Sequence, residues 1–363
     1  MSTTMSTSTP TAPPDEIEAF TFKFVADLGA VAHAATVVLG DKLGLYKTLA
    51  ENGPSTPDQL AAATGYDSRY LREWLLAQAA SGYANYDPST GRFSLDAVQT
   101  ACLADDTAPT FLAGGMAVVS SMHRDEDAVR NGFITGEGVG WHQHHHDLFI
   151  GTERFFRPGY IANLTSSWIP AIDGLEPALQ RGIHVADVGC GHGSSTILMA
   201  QSYPASTFVG FDYHAESIDA ARGRASEAGV ADRVRFEVAS ATDFPGDRYG
   251  LVCVFDALHD MGDPTAAAAH IRVSLADDGI FLLVEPNAHD NVQDNLNLVG
   301  RIFYSASTFV CTPASRAQGG SDAACLGAQA GEATLRAVLA DAGFTTVRRA
   351  TETPFNMILD VRP

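Results

Sequence analysis

The chain has 363 residues, of which 45% are hydrophobic and 18% charged, a balance that builds packed globular domains, and its length predicts two of them. Lys and Arg number 23 against 43 Asp and Glu, a net charge of -20 at pH 7, which repels a phosphate backbone and argues against a nucleic-acid partner. Cys102, Cys190, Cys253, Cys311 and Cys325 are scattered with no C-x-x-C pair, so no metal ligand set is expected and a cytoplasmic, reducing location fits.

Residues 1–14 are Ser, Thr, Pro, Ala and Met before the first acid, without the basic start or apolar core of a secretory signal, and are expected as a disordered tail. From Ile17 to Leu49 apolar residues recur at helical spacing, interrupted near Gly40 and Gly44, which predicts two or three packed helices. Within them the apolar stretch Leu28–Gly40 contains His33 and lies between Asp27 and Asp41. It reads as a buried helix too short to span a membrane. Thr56-Pro57 opens a helix to Ala63, Gly65 breaks the chain, and Asp67 or Ser68 caps a second helix to about Ala80. Gly82–Tyr86 and Arg92–Leu95, on either side of Asp87-Pro88-Ser89-Thr90-Gly91, then predict a hairpin. Helix, turn, helix and hairpin make a winged-helix module over 15–105. That span holds 12 acidic and 6 basic residues, so it lacks the basic footprint of a DNA-binding regulator.

Residues 106–180 are expected to be a helical linker carrying the lid of a substrate pocket. In it Trp141, His142, Phe156 and Tyr160 are candidate substrate contacts, joined later in the chain by Phe303 and Tyr304. The histidine run His142, His144, His145, His146 has no Asp/Glu-His pair at i, i+4 and reads as a solvated or pocket-lining segment.

Over 181–363 the pattern changes. Short apolar runs at 183–188, 207–211, 234–238, 251–255 and 279–284 alternate with helical stretches at 195–201, 215–228 and 264–275, followed by a helix at 332–342 and runs at 346–350 and 356–361. Alternating strand and helix predicts an α/β Rossmann-like domain with a parallel sheet covered on both faces. The first strand runs into Gly189-Cys190-Gly191-His192-Gly193, a tight turn that lets a ligand approach the backbone. The dinucleotide fingerprint G-x-G-x-x-G requires a third glycine or alanine at 194, where a serine stands, and does not call for the acid Asp187 before the turn. That carboxylate suits a ligand bearing ammonium and sulfonium charge. Asp212 ends the second strand, where a ribose diol is bound, with Tyr213 beside it. Ser240 and Ala241 follow the third strand in a place suited to an adenine edge. Phe255 ends the fourth strand on the same cofactor side, and beyond it Leu258-His259-Asp260 supplies a neutral-range base, with Asp256, Asp260 or Glu285 as its orienting carboxylate.

Val185–Gly193 followed by Phe208–Asp212 resembles the first two motifs of class I S-adenosylmethionine-dependent methyltransferases. The module before them is similar to the dimerisation domain of small-molecule O-methyltransferases and to actinobacterial two-domain methyltransferase or regulator-like proteins. The resemblance implies a seven-stranded sheet with a reversed last strand, S-adenosyl-L-methionine as cofactor, a small-molecule acceptor, and a homodimer built through the N-terminal helices, with no membrane. It carries over Gly189 and Gly191 to the methionine part, Asp212 to the ribose and Ala241 to adenine. Leu258-His259-Asp260 resembles the segment in which histidine takes the proton of an acceptor hydroxyl, but Met261 stands where that family has an aromatic residue. Transfer to carbon or nitrogen, and ligand sensing by a winged-helix regulator, remain alternatives at this point.

Overall fold

A computed structural model describes residues 12–246 and 248–363; the expected tail lies mostly outside them. The chain forms two compact units, the first ending at Asp105 and the second running from Asp106 to Pro363.

The first unit opens with α1, Pro14–Lys42, followed by α2, Leu45–Asn52. Gly40 does not break α1, which runs for 29 residues, and the chain turns at Gly44, so Ile17–Leu49 holds two helices, within the two or three expected. Helix α1 is long and apolar enough to cross a membrane by length and composition. Its burial also differs from expectation: only its C-terminal part is packed, at His33, Ala34, Val37, Val38 and Gly40, while Ile17, Phe20, Phe24 and Leu28 are exposed. Gly40 is required there, because a Cβ would stand 2.5 Å from the Trp74 ring. The helix-turn-helix is α3, Pro57–Thr64, and α4, Ser68–Ala80. Thr56 forms a capping box with Gln59, and Asp67 accepts from the amides of Arg69 and Tyr70, which satisfies the orphan donors of both N-termini. The wing is β1, Asn85–Asp87, antiparallel to β2, Arg92–Ser94, and α5, Ala97–Leu103, closes the unit. Its core contains one polar knot: Gln78 Oε1 accepts from Tyr46 Oη at 2.6 Å and lies 3.1 Å from His33 Nε2.

The second unit starts with α6, Ala113–Arg124, α7, Glu126–Thr135, α8, Asp147–Asn163, and α9, Leu175–Arg181. Helices α6 and α8 cross closely because Gly114 and Gly151 carry no side chain; a Cβ on Gly151 would lie 2.8 Å from the Val118 amide. The sheet comprises β3, His184–Val188; β4, Thr207–Asp212; β5, Val234–Val238; β6, Tyr249–Phe255; β7, Leu275–Pro286; β8, Thr346–Glu352; and β9, Asn356–Arg362, in the order β5-β4-β3-β6-β7-β9-β8. Strands β3 to β7 are parallel, and β9 is inserted antiparallel between β7 and β8. This is the seven-stranded, Rossmann-like arrangement expected. Covering helices are α10, Ser194–Ser202; α11, Ala215–Glu227; α12, Pro264–Ser274; α13, Val292–Asn295; α14, Leu298–Ala306; α15, Thr312–Gly319; and α16, Gly331–Asp341. Val185, Leu251, Cys253 and Leu282 pack on one face of the sheet with Trp168 and Ile197, and Ala186, Val252, Val254 and Leu283 on the other with Ile271 and Leu339. Alternate residues of each central strand thus enter opposite cores, which is why these strands read as unbroken apolar runs. The order reverses at β3/β6, leaving a crevice beyond the carboxyl ends of those strands.

Candidate functional site

That crevice is a cleft of about 530 Å³. The chain leaves β3 through Gly189, Gly191 and Gly193, at φ of 76°, 51° and 77°, a left-handed turn that side chains adopt only with strain. Nothing lies within 4 Å of where a Cβ on Gly191 would stand, whereas one on Gly193 would meet the Phe236 ring at 2.5 Å. The first glycine therefore leaves room on the cleft side and the second permits packing beneath. Asp212, at the end of β4, fixes the turn: its Oδ2 accepts the Gly191 amide at 3.0 Å and its Oδ1 the His214 amide at 2.8 Å. Burial raises the Asp212 carboxyl above its ordinary pKa, against the pull of those two amides.

Gly189, Cys190, Gly191, Asp212, Tyr213, Ser240, Ala241 and Phe255 all line the cleft. Asp187 does not. It is buried behind the turn, where its Oδ2 accepts from Ser195 Oγ at 2.7 Å and Thr196 Oγ1 at 2.6 Å, its Oδ1 has no partner, and burial pushes it up to about 6. The strand pattern places its side chain on the sheet face beneath α10. The sequence reading missed Glu153, a buried cleft residue from α8. It accepts from Ser194 Oγ at 2.7 Å and Arg224 Nη2 at 2.9 Å, and pairs with Arg157 at 3.0 Å. Burial opposes its ionisation, but Arg224, Ser194 and Arg157 outweigh that and hold its pKa below the ordinary value. The i, i+4 pair with Arg157 is an ordinary helix pairing, and the partners that tie Glu153 to the turn, Ser194 and Arg224, lie about 40 and 70 residues away.

Trp141, Phe149, Phe156, Tyr160 and Met261 line the rest of the cleft. Two expected aromatic contacts are elsewhere: Tyr304 lines a cavity with Phe133 and Arg316, and Phe303 lines a third with Asn295 and Pro354. Asn297 caps α14 and starts it beyond the end of β7, which takes both rings away from the cleft. His142 is exposed beside Gly140, and it is His144 that is buried.

Asp256, with φ of 49°, bends the chain after β6 so that the turn Leu258–Asp260 runs along the end of β7. Glu285 of β7 accepts the Leu258 amide at 2.9 Å and lies 2.6 Å from His259 Nδ1. His259 is 4% exposed and does not line the cleft, whereas Asp260 does. His259 Nε2 lies 3.3 Å from Asp260 Oδ1. Burial would lower the imidazole pKa, but the charges of Glu285 and Asp260 outweigh it and hold it well above its usual value. Burial raises the Asp260 carboxyl, opposed by the charge of His259. Asp260 thus lines the cleft, as do Glu153, Asp212, Asp256 and Asp263, and within the Leu258–Asp260 turn it is the titratable side chain presented to a ligand.

Residues 179–342 match a family model described as a methyltransferase domain, and residues 31–105 match an Rv2258c-like winged HTH domain. O-demethylpuromycin-O-methyltransferase of Streptomyces alboniger is 27% identical over 83% of this chain and 78% of its own length. The chain spans only 26% to 47% of the length of the first curated relatives it matches, which include trans-aconitate 2-methyltransferase of Paracidovorax citrulli, 29% identical. Among solved structures, an O-methyltransferase family protein of Burkholderia thailandensis superposes with a TM-score of 0.69 at 16% identity, covering 97% of this chain and 99% of that one. Human N-acetylserotonin methyltransferase in complex with SAM gives 0.69 at 16%, covering 94% and 97%. At those identities the likeness is one of fold.

Proposed function

The chain carries an S-adenosylmethionine-dependent methyltransferase domain behind an N-terminal winged HTH domain, and from that premise we propose that it methylates a hydroxyl of a small, largely apolar molecule. One observation carries the reading: a single cleft is lined by the glycine turn, Asp212, an aromatic wall and Asp260. The turn fits the cofactor, since Gly191 leaves open space on the cleft side and the Asp212 carboxylate is there to accept from a ribose diol. Ser240 and Ala241 are the residues that would flank adenine. The cofactor supplies a methyl group activated on a sulfonium, so the protein's tasks are to align the acceptor and to receive its proton.

Trp141, Phe156 and Tyr160 would bury the acceptor and exclude water. The sequence points to His259 as the general base; because Asp260 lines the cleft and His259 does not, Asp260 would receive the proton, with His259, clamped by Glu285, as its positioning partner. Full-length relatives are O-methyltransferases by name, which supports oxygen over carbon or nitrogen as the acceptor atom.

We also propose a homodimer closed over the exposed face of α1. Lys23 and Asp27 pair at 2.8 Å midway along that helix, and a charged pair at that depth disfavours a bilayer over a second protein surface.

The test is product analysis with methyl-labelled cofactor and a panel of phenols and alcohols. Asp260→Asn should lower turnover about 10²–10⁴-fold with cofactor affinity unchanged. Transfer only to carbon or nitrogen acceptors, or an Asp260→Asn enzyme within a few-fold of wild type, overturns the assignment.

A further inference from the structure

We propose that His144, His259, Asp260 and Cys311 form a closed binding site for a transition-metal cation of the Zn²⁺ class, and that an ion held there withdraws Asp260 and His259 from proton transfer. Binding stands on the side chains alone; the second clause rests on the methyl-transfer reading above.

One donor atom from each of His259, Asp260 and Cys311 lies within 4.8 Å of the others, and the His259 Nε2 to Asp260 Oδ1 separation is 3.3 Å. Ligand bonds of about 2.0–2.3 Å at a tetrahedral ion place donors roughly 3.3–3.8 Å apart, so a small closure at the sulfur completes the set. Nitrogen, carboxylate oxygen and thiolate together suit a borderline-soft ion and not Mg²⁺ or Ca²⁺.

The two histidines are prepared in the same way. Glu285 holds Nδ1 of His259 at 2.6 Å, and Asp125 holds Nδ1 of His144 at 2.9 Å. The Asp125 carboxylate is itself fixed by the His145 amide at 3.0 Å. A carboxylate on Nδ1 sets the tautomer that leaves Nε2 as a ligand. The His144 side chain is 1% exposed, yet its Nε2 has no hydrogen-bond partner, and neither has Asp260 Oδ1. A buried polar atom without a partner is costly, and a cation bound to His259, Asp260 and Cys311 would satisfy Asp260 Oδ1 and, on inward movement of the ring, His144 Nε2. His144 stands outside the three donors that lie within 4.8 Å of one another, so its ring must move inward to supply the fourth bond. Packing of Trp141 and Phe149 against Phe309 and Val310 brings the His144 segment to the turn that ends at Cys311.

The adjacent His145, His146 and Asp147 also cluster, but Arg124 donates to Asp147 at 2.9 Å and lies 2.8 Å from His145 Nε2. A cation already occupies that group. At the proposed site all four donors come from protein, the pattern of a closed site without an open coordination position. Binding forms a metal–sulfur bond, and the Cys311 thiol proton, with any proton on Nε2 of His259, leaves to solvent.

The full-length protein, stripped with EDTA, is titrated with Zn²⁺ against a chromophoric chelator and separately with Co²⁺. One equivalent should bind, and Co²⁺ should give the visible bands of a tetrahedral ion with a thiolate charge-transfer band. Cys311→Ser and His144→Ala should each weaken binding at least about tenfold, with melting curves confirming that both fold; Cys311→Ser should also lose the charge-transfer band. No cobalt spectrum, or affinity unchanged in both folded variants, overturns the site. Equimolar Zn²⁺ should stop turnover of wild type but not of Cys311→Ser; activation by Zn²⁺ overturns the second clause. If Co²⁺ binds as described and no methyl transfer is found, the site stands and the methyl-transfer reading falls.

Discussion

Asp212→Asn isolates the charge at the end of β4. The carboxylate already accepts two backbone amides, from Gly191 at 3.0 Å and His214 at 2.8 Å, and it faces the cleft. Asparagine keeps the shape and one acceptor, so one of the two backbone amides keeps its partner while the other faces an NH2 donor, and the charge is lost. A hydrogen bond to a charged group is worth about 1.5–3 kcal/mol, and loss of one ribose contact of that strength lowers cofactor affinity roughly 10- to 150-fold. Asp212→Ala removes the support of the Gly191 amide as well and should cost more. Titration calorimetry with S-adenosylhomocysteine reads both variants, and a melting curve without ligand shows whether the turn survives. An Asp212→Asn protein that melts like wild type and binds with unchanged affinity would refute the ribose assignment.

Glu153→Ala leaves Arg224 and Arg157 unpaired beside a buried void. Because Arg224 is about one-third exposed, we take the low end for a broken buried pair, about 3 kcal/mol, or a melting-point loss of roughly 10 °C. The Glu153 contribution is complete above the unfolded carboxyl pKa and lost as pH falls through the lowered folded one, so the gap between wild type and variant should close in acid. Phe20→Asp with Phe24→Asp, both on exposed positions of α1, should give a folded monomer by light scattering; a persistent dimer rules out that face.

The sequence by itself determined the sheet. Runs such as Leu251–Phe255 and Ile280–Val284 are apolar at every position because alternate side chains enter two cores, and a strand buried on both faces is written in consecutive residues. The glycine turn, Asp212 and the Ser240-Ala241 pair were legible for the same reason: each sits at a strand's carboxyl end, where topology fixes what it faces. Tertiary structure alone decided the rest. Asp187 is adjacent to the turn in sequence, yet the pleat sends it behind the turn to Ser195 and Thr196. His259 and Asp260 are neighbours, but the bend at Asp256 hides one and exposes the other to the cleft. Phe303 and Tyr304 were plausible pocket aromatics until the start of α14 carried them away. Glu153, His144 and Cys311 have partners from distant segments, and no window along the chain contains that information. Local periodicity specifies which elements form, because each element buries its own stripe; which side chains meet in a site depends on where several elements end, and that is fixed only when they pack.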